Sequence, residues 1–342
     1  MELELIQELT GLQAVAPEWA ALVEASELAT PFQYPIWLLR WWEHFGSGRL
    51  HVLVFRREGR LAGVVPCFCH EWNRRSQLTL IGSGISDYLD PMLDARFTGE
   101  ILGVLQQHLE STKGWEICDW QDLAADTPLK DLRDAEVQED TPCTRIPLTG
   151  CFDEFWRSRS PDLRRNVRRY SQRARASGQV RFEVCEHPSP DLMNELIRLH
   201  TARWQKQGEP GMIAANRSEA FLRSITHDFA ARGLIRFFSM HYNDSPAAVI
   251  LAFAQRNKMF GYMSAFDPEY EDLGFGRSLL YEAIRYSFCH GYKAWDFLRG
   301  DERYKTWWGA EPIPKCRVII PRQCLVERDE TTLACSRDSH WS

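Results

Sequence analysis

Phe266-Asp267-Pro268-Glu269-Tyr270-Glu271-Asp272-Leu273-Gly274-Phe275-Gly276-Arg277-Ser278-Leu279-Leu280 runs from the end of a strand-like segment into an amphipathic helix. The first N–H groups of a helix have no partner inside it and sit at the positive end of its dipole, so they favour an anion. Gly274 and Gly276 lack Cβ atoms, which lets a phosphate reach the backbone. Arg277 adds a fixed charge. Leu273, Gly274, Phe275, Gly276, Arg277 and Ser278 are therefore candidate diphosphate-binding residues, although Gly-x-Gly also suits a plain strand-to-helix turn. A Rossmann site would need a parallel βαβ unit and a longer glycine pattern, and a P-loop would need Gly-Lys-Ser/Thr.

On either side of this stretch the second half of the chain reads as alternating helices and strands. Phe152–Arg157 and Leu163–Ala176 are helical, followed by strand Val180–Val184 and helices Leu192–Gln205 and Ser218–Ala231. Strands Leu234–Met240, Ala247–Ala254 and Met259–Ser264 precede helix Phe275–Cys289, strand Lys293–Phe297 and a last strand at Cys316–Ile320.

The first half shows the same order. A helical pattern to Glu27 and a Trp-rich helix, Ile36–Phe45, lead to strands His51–Phe55, Leu61–Phe68 and Leu78–Ile81. Helix Phe97–Leu109 and strand Trp115–Trp120 follow, and Asp126–Thr141 reads as a polar loop or linker. Gly114-Trp115-Glu116-Ile117-Cys118-Asp119-Trp120 aligns without a gap on Gly291-Tyr292-Lys293-Ala294-Trp295-Asp296-Phe297. In both, glycine ends a helix, an aromatic opens a buried strand and an Asp-aromatic pair closes it. The expected fold is α/β, a tandem repeat of one unit with mixed, mostly antiparallel sheets flanked by helices. The expected domains are 1–149, 150–320 and a polar tail, 321–342.

Composition sets the outer bounds. The 342 residues are 44% hydrophobic and 26% charged, which suits globular cores and excludes a disordered or collagen-like chain. No apolar run reaches the ~20 residues that span a bilayer. The acidic N-terminus lacks the basic start of an export signal, so a cytoplasmic location is expected. Ten cysteines without a CxxC pair read as reduced core thiols, and histidines without ligand spacing predict no metal. Gly-x-Ser-x-Gly is absent, which argues against a lipase-type nucleophile. Residues 1–150 hold 12 Lys/Arg against 23 Asp/Glu, whereas residues 151–342 hold 29 against 24, so the second half is the better host for an anion.

Antiparallel strands, a Gly-x-Gly helix and a further strand form the core order of the GNAT acyltransferase superfamily. The chain resembles its CelD/BcsL-like branch, named for association with cellulose biosynthesis and related to the FemAB aminoacyl transferases. The resemblance covers residues 30–312. It rests on Pro31-Phe32-Gln33 with Trp37, Ser86-Asp87-Tyr88-Leu89-Asp90-Pro91, Arg164-Arg165-Asn166-Val167-Arg168-Arg169, His200 with Arg203-Trp204, Phe266-Asp267-Pro268, and Asp296-Phe297-Leu298-Arg299-Gly300 with Tyr304-Lys305. It implies two GNAT-like domains, with acetyl-CoA or another acyl-CoA bound by the second; the first has no Gly-x-Gly at the start of helix Phe97–Leu109 and is expected to bind none. The common loop reads Gln/Arg-x-x-Gly-x-Gly/Ala, whereas this chain has Glu271 at its first position and Asp272 beside it. Two carboxylates near a diphosphate are unfavourable unless they point to solvent.

The implied reaction is direct acyl transfer to an amine or hydroxyl of a small-molecule or saccharide acceptor, in polysaccharide or cell-envelope synthesis. The attacking group must lose a proton and the departing thiolate must be neutralised. Asp296 is the candidate base or substrate anchor, Tyr304 the candidate acid, and Lys305 or Arg299 the candidate stabilisers of negative charge. An Asp–Arg pair capping the next helix is the structural alternative. His200 and Trp204 share a helix face, and with Asp87 and Tyr88 they are candidates to line an acceptor cleft between the repeats. Eight arginines between Arg157 and Arg175 could contact the phosphates of CoA, an anionic acceptor or tRNA. The acidic whole and the lack of a nucleic-acid motif argue against nucleic acid. Two alternatives stay open: a FemAB-type aminoacyl-tRNA-dependent transferase, and a non-catalytic module of a polysaccharide-synthesis assembly, which Glu271 and Asp272 invite.

Overall fold

The computed structural model describes residues 1–208, 211, 213 and 215–322. The chain begins with β1 (Glu2–Ile6), α1 (Leu9–Ala25), α2 (Pro35–Phe45), β2 (Arg49–Arg57), β3 (Arg60–Trp72), β4 (Arg75–Leu80) and β5 (Met92–Leu93). It continues with α3 (Thr98–Ser111), β6 (Ile117–Ala124), β7 (Glu136–Pro147), α4 (Phe152–Ser158), α5 (Pro161–Ser177), β8 (Val180–Cys185), α6 (Pro190–Lys206) and α7 (Asn216–Ala230). The last elements are β9 (Ile235–Tyr242), β10 (Ser245–Gln255), β11 (Lys258–Phe266), α8 (Phe275–Cys289), β12 (Ala294–Arg299), α9 (Arg303–Trp307) and β13 (Glu311–Pro321).

Two units divide the chain. Unit 1 is Met1–Thr141 with Pro314 and the described residues after it, and unit 2 is Pro142–Ile313. Most of the tail expected at 321–342, with Cys324 and Cys335, lies outside the described residues. The fold is α/β, with a mixed, mostly antiparallel sheet in each unit. Unit 1 runs β1-β2-β3-β4-β6-β13 and unit 2 runs β7-β12-β11-β10-β9-β8.

The tandem alignment reappears as pairing register. Ile117–Asp119 of β6 pair in parallel with Gln77–Thr79 of β4. Ala294–Asp296 of β12 pair in parallel with Lys258–Phe260 of β11. Ile117 and Ala294 are aligned residues, and each parallel contact lasts three residues. Gly114 and Gly291 both adopt positive φ, +122° and +76°, a region that favours glycine.

β1, β7 and α9 were not anticipated. Helical periodicity in the sequence extends over Glu2–Ile6, but this segment pairs antiparallel with β2. The segment expected to be loop, Asp126–Thr141, holds a 3-10 turn at Pro128–Asp131 and the start of β7. Glu136–Glu139 are exposed, so no apolar alternation marks that strand. Its second half is fixed by antiparallel pairing with β12, Trp295 opposite Ile146 and Asp296 opposite Arg145.

In unit 2 the strand period of two splits β10 between both sheet faces. Ala248, Ile250, Ala252 and Ala254 join a core with Leu163 and Val167 of α5 and Leu279, Ala283 and Ile284 of α8. Phe253 faces the other way, against Phe229 of α7. Burying a Leu or Val side chain contributes ~1.5–3 kcal/mol, so these few contacts hold α5 against α8 despite the arginines of α5. Ser160 caps α5 by accepting from Leu163 N–H at 3.2 Å, with Pro161 following, as the sequence signature predicts.

Candidate active site

β11 and β12 separate after their three paired residues. β11 continues to Phe266 and β12 to Arg299 without pairing to each other. A bulge at Tyr262, where the β10 register shifts between Leu251 and Ala252, bends β11 at the same place. The opening lies beside a cavity of about 360 Å³. Ser264, Ala265 and Phe266 of β11, Phe297 of β12 and the N-terminus of α8 form its walls.

Gly274, Phe275, Gly276 and Arg277 all line this cavity, whereas Leu273 and Ser278 flank it. Gly274 is the N-cap of α8, in left-handed conformation with φ +61°, and no side chain caps the helix. A Cβ on Gly274 would lie 2.6 Å from the ring of Tyr170 on α5. Glycine is therefore required twice here, by backbone conformation and by the close ring. The Arg277 guanidinium lies 5.2 Å from the Tyr170 ring and 5.5 Å from the Trp307 ring, so two aromatics orient it. Ser278 is buried, with Oγ 3.3 Å from Ser171 Oγ.

The two carboxylates are accounted for. Glu271 pairs with Lys206 Nζ at 2.7 Å, and Lys206 holds its carboxyl below the usual range. Asp272 is exposed, 4.0 Å from Arg173. Neither stands as an uncompensated charge at the helix end. Arg165, Arg168, Arg169, Arg173 and Arg175 are exposed on α5, the helix that supplies Tyr170 to the cavity.

The four candidate catalytic residues separate into two groups. Asp296 is fully buried and does not line the cavity. Its Oδ2 accepts from Arg145 Nη2 at 2.9 Å and Nε at 3.1 Å, and its Oδ1 accepts from Leu298 N–H at 2.8 Å. Leu298 has φ +63°, so Asp296 supports a strained turn where β12 bulges. Lys305 is 2% exposed and donates to the carbonyls of Arg299 at 2.8 Å, Gly300 at 3.1 Å and Leu298 at 3.4 Å, and pairs with Glu302 at 2.7 Å. Its three protons are fully engaged in holding the chain after β12. The expected base and the expected charge stabiliser thus have structural duties, because burial demands that each be paired. Arg299 is half-buried at the same turn. Tyr304 does line the cavity. It keeps about a third of its surface exposed, and burial of the rest, with Glu302 nearby and Arg203 opposing, pushes its phenol up to about 12.

The candidate acceptor residues lie elsewhere. His200 is 4% exposed, and desolvation with help from Arg203 pulls its imidazole down to about 4. Its ring is 5.9 Å from that of Trp204, and neither residue lines the cavity. Arg203 between them does, stacked 4.9 Å from the Phe266 ring. Asp87 and Tyr88 are buried within unit 1. There Trp37 Nε1 donates to Ser86 Oγ at 2.8 Å and Gln33 Nε2 donates to the Asp90 carbonyl at 3.0 Å. Leu89 N–H donates to Asp122 O at 2.9 Å, and Asp90 Oδ2 accepts from Ala124 N–H at 2.9 Å. The segment Ser86–Pro91 thus lies along β6 beyond its parallel contact with β4.

Sequence reading missed Tyr170, Trp307 and Arg145. Tyr170 was the single aromatic in an arginine-rich helix, which is a weak signal. Arg145 came from a segment with no strand pattern. Among the described residues no group of His, Cys, Asp or Glu could hold a metal ion, and no helix is long and apolar enough to cross a membrane. Cys67 and Cys118 are buried thiols with their pKa values pushed up by desolvation.

The chain is similar in fold to several known structures. The crystal structure of FemX matches with a TM-score of 0.68 at 12% identity, over 96% of this chain and 99% of that one. A conserved protein of unknown function from Bacteroides thetaiotaomicron matches at 0.62 and 11% identity, over 93% and 100%. The structure of L-PGS from Bacillus licheniformis matches at 0.57 and 12%, over 92% of each chain. No curated protein matches the sequence significantly. A family model described as "Acetyltransferase (GNAT) domain" matches residues 161–306, which hold α5, the splayed strands, the Gly274–Gly276 turn and Tyr304. Residues 161–306 are accordingly a GNAT-superfamily acetyltransferase domain, and the protein that carries it is a transferase.

Proposed function

We propose that unit 2 transfers an acyl group from acyl-CoA to an amine or hydroxyl acceptor, in the polysaccharide or cell-envelope chemistry suggested by the CelD/BcsL-like resemblance, and in the cytoplasm. The observation that carries the reading is the uncapped N-terminus of α8, opening through Gly274 and Gly276 into the cavity beside the β11–β12 splay.

Phe275, Gly276 and Arg277 present amides without intrahelical partners, suited to a diphosphate, while Arg277 adds charge from between two rings. Among the described residues no strand pairs with the edge of β11 that faces away from β10 beyond Phe260, and its backbone groups can pair with the amides of an extended pantetheine arm. Bound there, the donor supplies a thioester carbonyl and a thiolate leaving group. Tyr304, kept protonated at neutral pH, is the residue placed to give that thiolate a proton. Asp296 and Lys305 act as positioning residues that fix the chain from β12 to α9, which carries Tyr304. Unit 1 is proposed to bind no cofactor, since Ser86–Pro91 occupies the edge of β6 that corresponds to the splay.

Calorimetry with CoA and acetyl-CoA tests this. Binding to the wild-type chain, lost in Gly276→Leu while cooperative unfolding is retained, is the expected result. Failure of the wild-type chain to bind either compound would remove the reading.

A second reading, an aminoacyl-tRNA-dependent transferase, draws on the five exposed arginines of α5 next to Tyr170. Filter binding at graded salt discriminates. A steep salt slope with charged tRNA and no heat with acetyl-CoA would favour RNA.

A further inference from the structure

We infer that the indole N–H of Trp295 holds the carbonyl oxygen of the donor thioester at the inner end of the cavity; this rests on the acyl-CoA reading above. Trp295 lies on β12 opposite Met259, one residue before the two strands cease to pair at Phe260 and Asp296. It borders the cavity, yet it is only 1% exposed. Its Nε1 has no hydrogen-bond partner among the described residues. An indole nitrogen can only donate, and a buried donor left unpaired costs free energy that a bound acceptor restores. Trp19, Trp115 and Trp120 share that condition, but none of them borders the cavity.

The position along the strand suits a thioester. With the diphosphate at Gly274–Arg277, β11 leads inward from Phe266 to Gly261, a path of ~17 Å. The pantetheine arm fills that length, so its sulfur and the attached carbonyl arrive beside Gly261. A Cβ there would lie 3.1 Å from the Trp295 ring and 3.4 Å from Nε1 itself. Gly261 has no positive φ, so close approach to the indole, and not backbone conformation, calls for glycine. Any side chain at this position would press on the N–H edge of the ring.

Trp295 and Tyr304 then divide the chemistry. Phe297 packs between them, with its ring 6.3 Å from that of Trp295 and 6.0 Å from that of Tyr304, so the three line one wall. Attack by the acceptor forms a bond to the carbonyl carbon and moves the C=O π pair onto oxygen. The Trp295 N–H meets the charge that grows there, in surroundings of Ile250, Leu279 and Phe297 that hold little water. Collapse restores the C=O bond and breaks the C–S bond. Tyr304 protonates the departing thiolate, the acceptor releases its proton to solvent, and solvent returns one to Tyr304.

Calorimetry of the full chain with acetyl-CoA and with S-ethyl-CoA, a thioether of the same length that lacks the carbonyl, tests the inference. The wild-type chain should prefer acetyl-CoA about fivefold, the worth of one hydrogen bond. Trp295→Phe removes the N–H and should erase that preference while S-ethyl-CoA still binds. Gly261→Ala, which crowds the same edge, should lower the preference as well and serves if the first variant does not fold. Equal wild-type affinity for the two compounds, or a preference that survives in the variants, would overturn the inference and leave the acyl-CoA reading standing. A loss shared equally by both compounds would place the N–H on the pantetheine arm and overturn it too. Absence of binding by CoA and both derivatives would overturn the inference and the reading together.

Discussion

Arg145 donates from Nε and Nη2 to a single oxygen of Asp296, at 3.1 and 2.9 Å. The carboxylate is fully buried in the middle of the parallel-paired strand, and the arginine comes from the antiparallel neighbour on its other side. Unit 1 repeats the device: Arg317 Nε of β13 donates to Asp119 of β6 at 2.6 Å. Removing one partner of a buried pair leaves an uncompensated charge. Arg145→Ala should lower the unfolding free energy by about 3 kcal/mol, the low end of that range because Arg145 is partly exposed. Urea unfolding checks this, and an unchanged midpoint would show the pair to be dispensable.

Lys305 should behave as a clamp. Lys305→Met leaves three carbonyls without their donor and should cost about 2–3 kcal/mol. The loss should appear as lowered thermal stability before any effect on substrate affinity, because the residue lies outside the cavity. A variant as stable as wild type but inactive would return Lys305 to the chemistry.

Gly274 meets two constraints, and they can be separated. Gly274→Ala should destabilise by about 1 kcal/mol from left-handed strain, plus the clash with Tyr170. In Gly274→Ala combined with Tyr170→Ala the clash disappears and the strain remains. The two effects should therefore be non-additive by about 1 kcal/mol in a double-mutant cycle. Strict additivity would mean that the ring does not press on the turn.

Tyr304→Phe should reduce kcat about 10²-fold with KM nearly unchanged, as expected for a proton donor used only in the chemical step. Since burial pushes the wild-type phenol up to about 12, deprotonation of this group should not diminish the rate below about pH 10. Steady-state kinetics with an active acceptor decides, and a matching rise in KM would assign Tyr304 to binding instead.

His51 predicts an acid-side instability. Burial, then His108 and Arg49, pull its imidazole down to about 4 from 6.5, and it is 1% exposed. The folded state therefore resists a proton that the unfolded state accepts. Stability is full above pH 6.5 and falls as pH drops from 6.5 toward 4, by about 3 kcal/mol in all. His51→Phe should flatten that part of the urea-derived stability profile, and an unaltered slope would place its cause elsewhere.

The Gly274–Gly276 turn, the limits of α8 and the ungapped match of Gly114–Trp120 to Gly291–Phe297 were legible in the chain because each has a local cause. A helix start, a left-handed glycine and an apolar strand leave marks within a few residues. Asp296, Tyr304 and Lys305 were legible as a cluster, but their division of labour was not. Whether a carboxylate faces a cavity or an arginine 151 positions away in the chain depends on partners that no local pattern names.

Residue order by itself therefore determined the repeat, the class of fold and the location of the glycine turn before α8, since periodicity and backbone preference act over short range. Only tertiary structure showed that β7 completes the sheet of unit 2 beside β12, that Tyr170 and Trp307 enclose Arg277, and that Asp296 and Lys305 hold the backbone while Tyr304 reaches the cavity. Those outcomes depend on burial, which obliges every charge to find a partner, and burial exists only once distant segments have packed.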